Sequence, residues 1–84
     1  MTYRVILEKR AQKALRDLSA VTLRRINESI DDLARDPRPP GSQKLAGRPG
    51  WRIRVGDYRV IYEIRDDVLI VLVIDIGHRR EIYR

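Results

Sequence analysis

Three arginines lie within one short stretch of the sequence, WRIRVGDYR at residues 51–59. Side chains alternate between the two faces of a β-strand, so Arg52 and Arg54 are expected on the same face. A two-residue turn at Gly56-Asp57 would bring Arg59 back beside them on the next strand. Like charges on neighbouring strands repel each other unless an anion lies between them. Because the planar guanidinium suits phosphate, the cluster predicts a phosphate-binding face.

The C-terminal stretch GHRREIYR adds His78 and Tyr83, two groups that can move protons. Arginine, histidine and tyrosine together can cleave RNA without a metal, because the substrate supplies its own nucleophile, the 2′-hydroxyl. Preorganised cations stabilise the charge that develops on the phosphorane. Arginine is a poor general base because its pKa exceeds about 12. Neighbouring arginines lower a tyrosine pKa from its usual value near 10, so Tyr83 or His78 is the candidate base.

Structural interpretations of the same residues remain open at this point. Arg52 and Arg54 can simply keep an exposed sheet face soluble. Tyr83 can be a packing residue, and His78 can cap a turn after Gly77. The functional interpretation depends on the convergence of several cations and a tyrosine on one side of one sheet.

Other catalytic constellations are missing from the sequence. There is no cysteine, no serine beside the histidine and no glycine-rich phosphate loop. The paired carboxylates Asp31-Asp32 and Asp66-Asp67 are interpreted as solvated surface charge. We therefore predict neither a metal site nor a cofactor.

The overall composition favours an anionic partner. The 84 residues are expected to form one domain, 1–84, with a net charge of +6 and a pI near 10.3. Of the 18 basic residues, 15 are arginine, a bias that a genome rich in G and C would also produce. The longest apolar run, at 68–74, is far shorter than the roughly 20 residues that span a bilayer. The sequence has no signal-like start, so a soluble, cytoplasmic protein is expected.

Hydrophobic periodicity predicts the elements that position these residues. Residues 2–7 alternate as a strand. Two helical stripes follow, joined at Ser19-Ala20 and expected to pair as an antiparallel hairpin: Ala11, Ala14, Leu15 and Leu18, then Leu23, Ile26, Ile30 and Leu33. Asp36-Pro37 ends the second helix, because the residue before proline avoids the α region.

The second half of the chain is predicted to be a loop followed by strands. Residues 36–50 hold all four prolines and are expected to form a loop, with Leu45 tucked into the core. Strands are predicted at 51–55, 58–65 and 68–76, with one more short extended segment at Glu81–Tyr83. The order β-α-α-β-β-β indicates an α+β domain, with a helical hairpin packed on one face of a small, twisted, mostly antiparallel sheet. Arg52, Arg54 and Arg59 would then lie on the open face.

The chain resembles the RelE branch of the RelE/ParE toxin superfamily of type II toxin–antitoxin modules. The resemblance covers almost the whole length, through the element order and three sequence stretches. These are QKLAG, WRIRVGDYRVIYEI and VLIVLVIDIGHRREIYR.

The resemblance implies a ribosome-dependent endoribonuclease that cuts mRNA in the A site without a metal and leaves a 2′,3′-cyclic phosphate. It also implies catalytic roles for five residues, Arg52, Arg54, Arg59, Arg79 and Tyr83. His78, the other catalytic candidate, stands where relatives often carry another basic residue. Relatives carry lysines on the second strand, one of them a candidate base. Arginine at both positions preserves phosphate binding and leaves the base to Tyr83 or His78.

Further basic residues are predicted to contact RNA, namely Lys44, Arg48 and Arg80. The expected partners are a cognate antitoxin, the ribosome and mRNA. Two alternatives share the same fold: a ParE-like poison of DNA gyrase, and a catalytically weak relative that acts mainly in an autorepressing complex with its antitoxin.

Overall fold

The computed structural model describes residues 2–78, which form five strands and two helices. The strands are β1 (Arg4–Leu7), β2 (Gln43–Lys44), β3 (Trp51–Val55), β4 (Tyr58–Arg65) and β5 (Ile70–His78). The helices are α1 (Lys9–Arg16) and α2 (Ala20–Arg35). The predicted α+β class and the order of the main elements are confirmed.

The strands form one mixed sheet in the order β1-β5-β4-β3-β2. β1 pairs with β5 in parallel, and the other neighbouring pairs are antiparallel. The apolar sequence of β5 agrees with its place inside the sheet. Val71 and Val73 are buried on the helix side, and Leu72 on the other side is half-buried.

The two helices follow from their apolar stripes and their ends. Glu8 precedes α1 without a side-chain cap, whereas the Ser19 hydroxyl accepts a hydrogen bond from the Thr22 amide at 3.3 Å and caps α2. Asp36 has an extended backbone, and α2 ends at Arg35 as the following proline predicts. α1 packs mainly on β5, and α2 packs on β1 and β3.

The core lies between the helices and one face of the sheet. It contains residues from both helices and three strands: Ala11, Ile26, Ile30, Leu33, Ile53, Val55, Val60, Tyr62, Val71, Val73 and Ile76. A β-bulge shifts the pairing of β4 and β5 beside Ile61 and Tyr62. It therefore places both Val73 and Ile76, three positions apart, in the core.

The turn between β3 and β4 has the predicted form. Gly56 has a φ of +60°, and Asp57 has no positive φ. This combination matches a type II′ turn, which requires a positive φ at its first central residue alone.

Two boundaries in the second half differ from the prediction. Residues 36–50 are not entirely a loop, because β2 pairs with β3 there. A two-residue strand is too short to show alternation, so periodicity cannot reveal it. β5 spans 70–78 and not 68–76, because Val68 and Leu69 belong to the β4–β5 turn, where Leu69 has a φ of +54°. The predicted segment Glu81–Tyr83 lies outside the described residues.

Among residues 2–78, no helix combines the length and the apolar character needed to cross a bilayer.

Candidate functional site

An open cavity of about 500 Å³ lies on the sheet beside β2 and β3. Three of its lining residues are the arginines of the 51–59 stretch, Arg52, Arg54 and Arg59. Pro40, Gly41, Gln43 and Ile53 complete the described lining. No acidic side chain is part of that described lining, so the cavity is a concave surface of concentrated positive charge.

Strand register explains how the arginines meet. Arg54 pairs directly with Arg59 across β3 and β4, and Arg52 lies two residues before Arg54 on the same face. The predicted convergence of the three side chains is therefore confirmed. Their burial differs, since Arg54 is exposed, Arg52 is half-buried and Arg59 is only 7 % exposed. Like charges directly opposite each other destabilise a sheet, and an anion bound between Arg54 and Arg59 would reduce their repulsion.

Arg52 is held by a neighbour on β2. The Gln43 side-chain oxygen Oε1 accepts hydrogen bonds from Arg52 Nε, at 3.2 Å, and from Arg52 Nη2. Sequence reasoning did not assign Gln43 to the site. The one sequence feature that pointed to Gln43 is the stretch QKLAG, which it begins. Hydrophobic periodicity did not reveal β2, the strand on which Gln43 lies.

His78 lies on the opposite face of the sheet from the arginines. Arg59 pairs with Gly77, and Tyr58 pairs with His78. Because paired residues share a face, His78 is on the side of Tyr58, and the two rings meet edge to face with centroids 5.5 Å apart. The structure therefore places His78 on the face away from the arginine cavity, and it is not part of the described lining.

The loop that forms one wall of the cavity is anchored at its start. The Tyr62 hydroxyl is fully buried and donates a hydrogen bond of 2.8 Å to the Pro37 carbonyl oxygen. Burial raises the pKa of Tyr62 to about 12. The Ser42 amide then donates to the Pro39 carbonyl at 3.0 Å, which closes a tight turn around Pro40 and Gly41.

Arg38 secures the same loop from outside. Its guanidinium lies over the Trp51 ring, 5.4 Å from the centroid, and binds the Asp66 carboxylate at 2.8 Å. The Tyr3 hydroxyl also donates to Asp66, at 2.5 Å. The bond from Arg38, and then that from Tyr3, lowers the pKa of Asp66, while the bond to Asp66 raises the pKa of Tyr3. Asp66 is thus exposed, as expected, but it is also an anchor.

The remaining predicted site residues lie elsewhere. Lys44 and Arg48 are exposed, and neither lines the cavity. Arg79, Arg80 and Tyr83 lie outside the described residues. Nowhere in residues 2–78 do three or more metal-ligating side chains come together.

This fold is shared with solved structures of RelE toxins. The RelE–RelB complex of Pyrococcus horikoshii matches with a TM-score of 0.83 and 35 % sequence identity, over 94 % of this chain and 97 % of that one. The isolated RelE toxin of Escherichia coli matches with a TM-score of 0.80 and 28 % identity, over 96 % of this chain and 90 % of that one. The fold class is therefore that of the RelE toxins.

Sequence comparisons agree with this class. The family model described as "ParE toxin of type II toxin-antitoxin system, parDE" matches residues 5–83. Toxin RelG of Mycobacterium tuberculosis is 33 % identical over 100 % of this chain and 99 % of its own length. The mRNA interferase toxin RelE of Escherichia coli is 28 % identical over 99 % of this chain and 92 % of its own length. The chain belongs to the RelE/ParE family of type II toxin–antitoxin toxins, and it is a RelE-type member.

Proposed function

We propose that this toxin is a ribosome-dependent endoribonuclease that cleaves mRNA in the A site. The observation that carries the proposal is the cavity lined by Arg52, Arg54 and Arg59. The similarity to a toxin named mRNA interferase in Escherichia coli supports it.

The arginines supply the electrostatic part of the reaction. The RNA 2′-oxygen attacks the adjacent phosphorus and loses its proton to a base, while the bond from phosphorus to the 5′-oxygen breaks and that oxygen takes up a proton. The products are a 2′,3′-cyclic phosphate and a free 5′-hydroxyl. The guanidiniums bind the phosphate and stabilise the extra negative charge of the phosphorane, a role that needs no metal ion.

Proton transfer is assigned to Tyr83. Arginines are too basic to accept the proton, and the described lining of the cavity holds no carboxylate or imidazole. His78 lies on the other face with Tyr58. Arg79 is proposed as a further phosphate ligand, and Lys44, Arg48 and Arg80 as more distant RNA contacts.

A cognate antitoxin is the proposed protein partner, in the cytoplasm. The support is the Pyrococcus horikoshii relative, solved as a complex of RelE with RelB. The net charge of +6 favours an antitoxin with an acidic segment that folds as it binds.

Translation in vitro followed by primer extension tests the nuclease. The wild-type protein should cut a translated mRNA at the codon in the A site and leave the same mRNA intact without ribosomes. Arg59→Ala should reduce cleavage by about 10²–10³-fold, the usual cost of one charge-stabilising donor. Arg79→Ala and Tyr83→Phe should be similarly severe. Arg24→Ala, on the exposed side of α2, is the matched control and should cleave like wild type.

An intact mRNA at saturating wild-type protein would refute the nuclease. Equal loss in Arg59→Ala and Arg24→Ala would refute the assigned site. The 3′ ends should carry a cyclic phosphate, so they should resist extension by poly(A) polymerase until the phosphate is removed.

Poisoning of DNA gyrase is the second candidate, because the matching family model carries the ParE description. Gyrase poisoning requires no RNA cleavage by the toxin. Inhibition of supercoiling by the purified protein, with mRNA left uncut, would favour it. Absence of toxicity when the protein is expressed alone would instead favour the autorepressing role.

A further inference from the structure

We propose that the turn of Pro40 and Gly41 contacts the RNA substrate directly, with the Pro40 ring packed against the base next to the scissile phosphate and Gly41 leaving room for the RNA to approach. This inference rests on the proposed nuclease function and adds a determinant of codon preference to it. Both residues line the arginine cavity, although the sequence predicted them only as part of the loop at 36–50.

The turn has a defined and rigid shape. The Ser42 amide donates to the Pro39 carbonyl at 3.0 Å, and Gly41 between them has a φ of +90°. Proline at the first central position and a positive φ at the second are typical of a type II turn. Because the proline ring fixes φ at about −65°, Pro40 loses little conformational freedom when a ligand binds.

Both ends of the turn are held by the fold. Before it, the Tyr62 hydroxyl donates to the Pro37 carbonyl at 2.8 Å, and Arg38 binds Asp66. After it, Gln43 begins β2, which pairs with β3. The turn is therefore a preorganised wall of the cavity, and preorganisation reduces the free-energy cost of binding.

The lining of the cavity offers a cationic and an apolar surface. The arginines, of which Arg54 is the exposed one, suit a phosphate. Ile53 is apolar but only 8 % exposed, so Pro40 supplies the accessible apolar side chain of the described lining. A nucleotide has the same two parts, an anionic phosphate and a base with an apolar face. Proline is among the apolar side chains that pack against bases in nucleic-acid-binding proteins.

Gly41 has open space where a side chain would be. A Cβ at this position would have no atom within 4 Å, and because Gly41 lines the cavity, that space is continuous with it. Gly47 also has a positive φ, +74°, and nothing within 4 Å of its Cβ position, but it is not part of the described lining. A Cβ at either position thus meets no protein atom, and only the one at position 41 would obstruct RNA in the cavity.

Asparagine at positions 41 and 47 tests the space at Gly41. Asparagine tolerates a positive φ better than most residues, so Gly41→Asn and Gly47→Asn should have similar Tm values. In the translation assay, Gly41→Asn should lower kcat/KM by about 10–100-fold and Gly47→Asn by less than about twofold, because small displacements of a bound substrate are costly. Equal cleavage by the two variants would overturn the proposal.

Replacement of Pro40 tests the contact with a base. Pro40→Ala removes the ring, and Pro49→Ala, in the same loop but outside the described lining, is the control. Because bases differ in stacking strength, Pro40→Ala should change the ratio of cleavage between codons by about threefold or more, and Pro49→Ala should keep the wild-type ratio. Arg54→Ala removes a phosphate contact instead and should weaken cleavage at all codons alike. A uniform loss in Pro40→Ala, or a wild-type ratio, would overturn the base contact.

Amide chemical shifts test the contact without cleavage. A trinucleotide with 2′-deoxyribose at the central position cannot be cut, because it lacks the attacking hydroxyl. At millimolar concentration it should shift the Gly41 amide resonance of the isotope-labelled wild-type protein and leave that of Gly47 unchanged. No shift at Gly41 would overturn the proposal. A shift at Gly41 in a protein that cuts no mRNA on ribosomes would instead refute the proposed function and support the RNA contact.

Discussion

At the scale of single residues, strand alternation decides which side chains lie on the same face of the sheet and can act on the same substrate. Arg59 is on β4 and His78 is on the neighbouring strand β5. Arg59 pairs with Gly77, not with His78, so the two side chains lie on opposite faces of the sheet. The sequence shows both residues but not the register. The bulge beside Ile61 and Tyr62 inserts one extra residue into β5 and so shifts the pairing by one position. Strand alternation in the sequence therefore does not reveal which residues of β5 face those of β4.

The Tyr62 hydroxyl makes stability depend on pH in the alkaline range. Its pKa in the folded state, about 12, lies above the ordinary 10.0, so the hydroxyl keeps its proton to a higher pH in the folded state than in the unfolded state. This contribution to stability is complete below pH 10 and is lost as the pH rises toward 12, by roughly 2–3 kcal/mol in all. Tyr62→Phe should therefore show a flatter loss of stability over this range in denaturant unfolding at pH 9, 11 and 12.

At pH 9, Tyr62→Phe should itself be less stable by about 1–3 kcal/mol, because the Pro37 carbonyl loses its buried donor. Parallel stability curves for the two proteins between pH 9 and 12 would contradict the assignment of this titration to Tyr62.

At the scale of elements, β2 is the part that the sequence did not reveal. The helices, β3 and β4 follow from periodicity and from the Gly-Asp turn, which are local signals. β2 has two residues, and its pairing depends on the loop that follows it. There Gly50 has a φ of +126°, and a Cβ on it would lie 3.1 Å from Leu45 Cδ1 and 3.3 Å from the Tyr62 carbonyl oxygen. Tertiary contacts, not propensity, make this strand.

Gly50→Ala should therefore destabilise the protein and disturb β2. Backbone strain alone costs on the order of 1–3 kcal/mol, and the close Tyr62 carbonyl adds to it because backbone cannot move aside. Gly47→Ala is the matched control, since Gly47 also has a positive φ, +74°, but open space around its Cβ position. Its cost should be limited to about 1–2 kcal/mol. Urea unfolding of both variants measures the difference, and equal costs would contradict the role given to the Gly50 contacts.

At the scale of the whole molecule, one exposed cluster joins segments that are far apart in the sequence. Asp66, in the β4–β5 turn, binds Tyr3 before β1 and Arg38 after α2. The sequence shows how many arginines the chain has. It does not show which of them form ion pairs, as Arg38 does, and which line the cavity. Which arginines pair with carboxylates depends on distances between segments that are far apart in the sequence, so the sequence alone gives only the number of arginines.

Replacing Asp66 should change the behaviour of the protein in acid. The bonds from Arg38 and Tyr3 lower the pKa of Asp66 below its ordinary 3.8. Its contribution to stability is therefore present above pH 3.8 and is lost as the pH falls through the lowered folded value. Asp66→Asn should be less stable than wild type at pH 6, and the difference in Tm should shrink as the pH falls toward 2.

Asp67→Asn removes the same charge at the next position of the turn and serves as the control. A difference between wild type and Asp66→Asn that stays constant from pH 6 to 2, or that Asp67→Asn reproduces, would contradict this account.

The parallel pairing of β1 with β5 has a consequence for how the chain is made. Val5 pairs with Val71, so a nascent chain cannot complete its sheet until almost all of the described sequence has left the ribosome. β1 has no other strand partner, since β5 is its only neighbour in the sheet order of residues 2–78. Such high contact order makes folding late and comparatively slow. A toxin proposed to attack translation would thus complete its own sheet only after the segment Ile70–His78 has been translated.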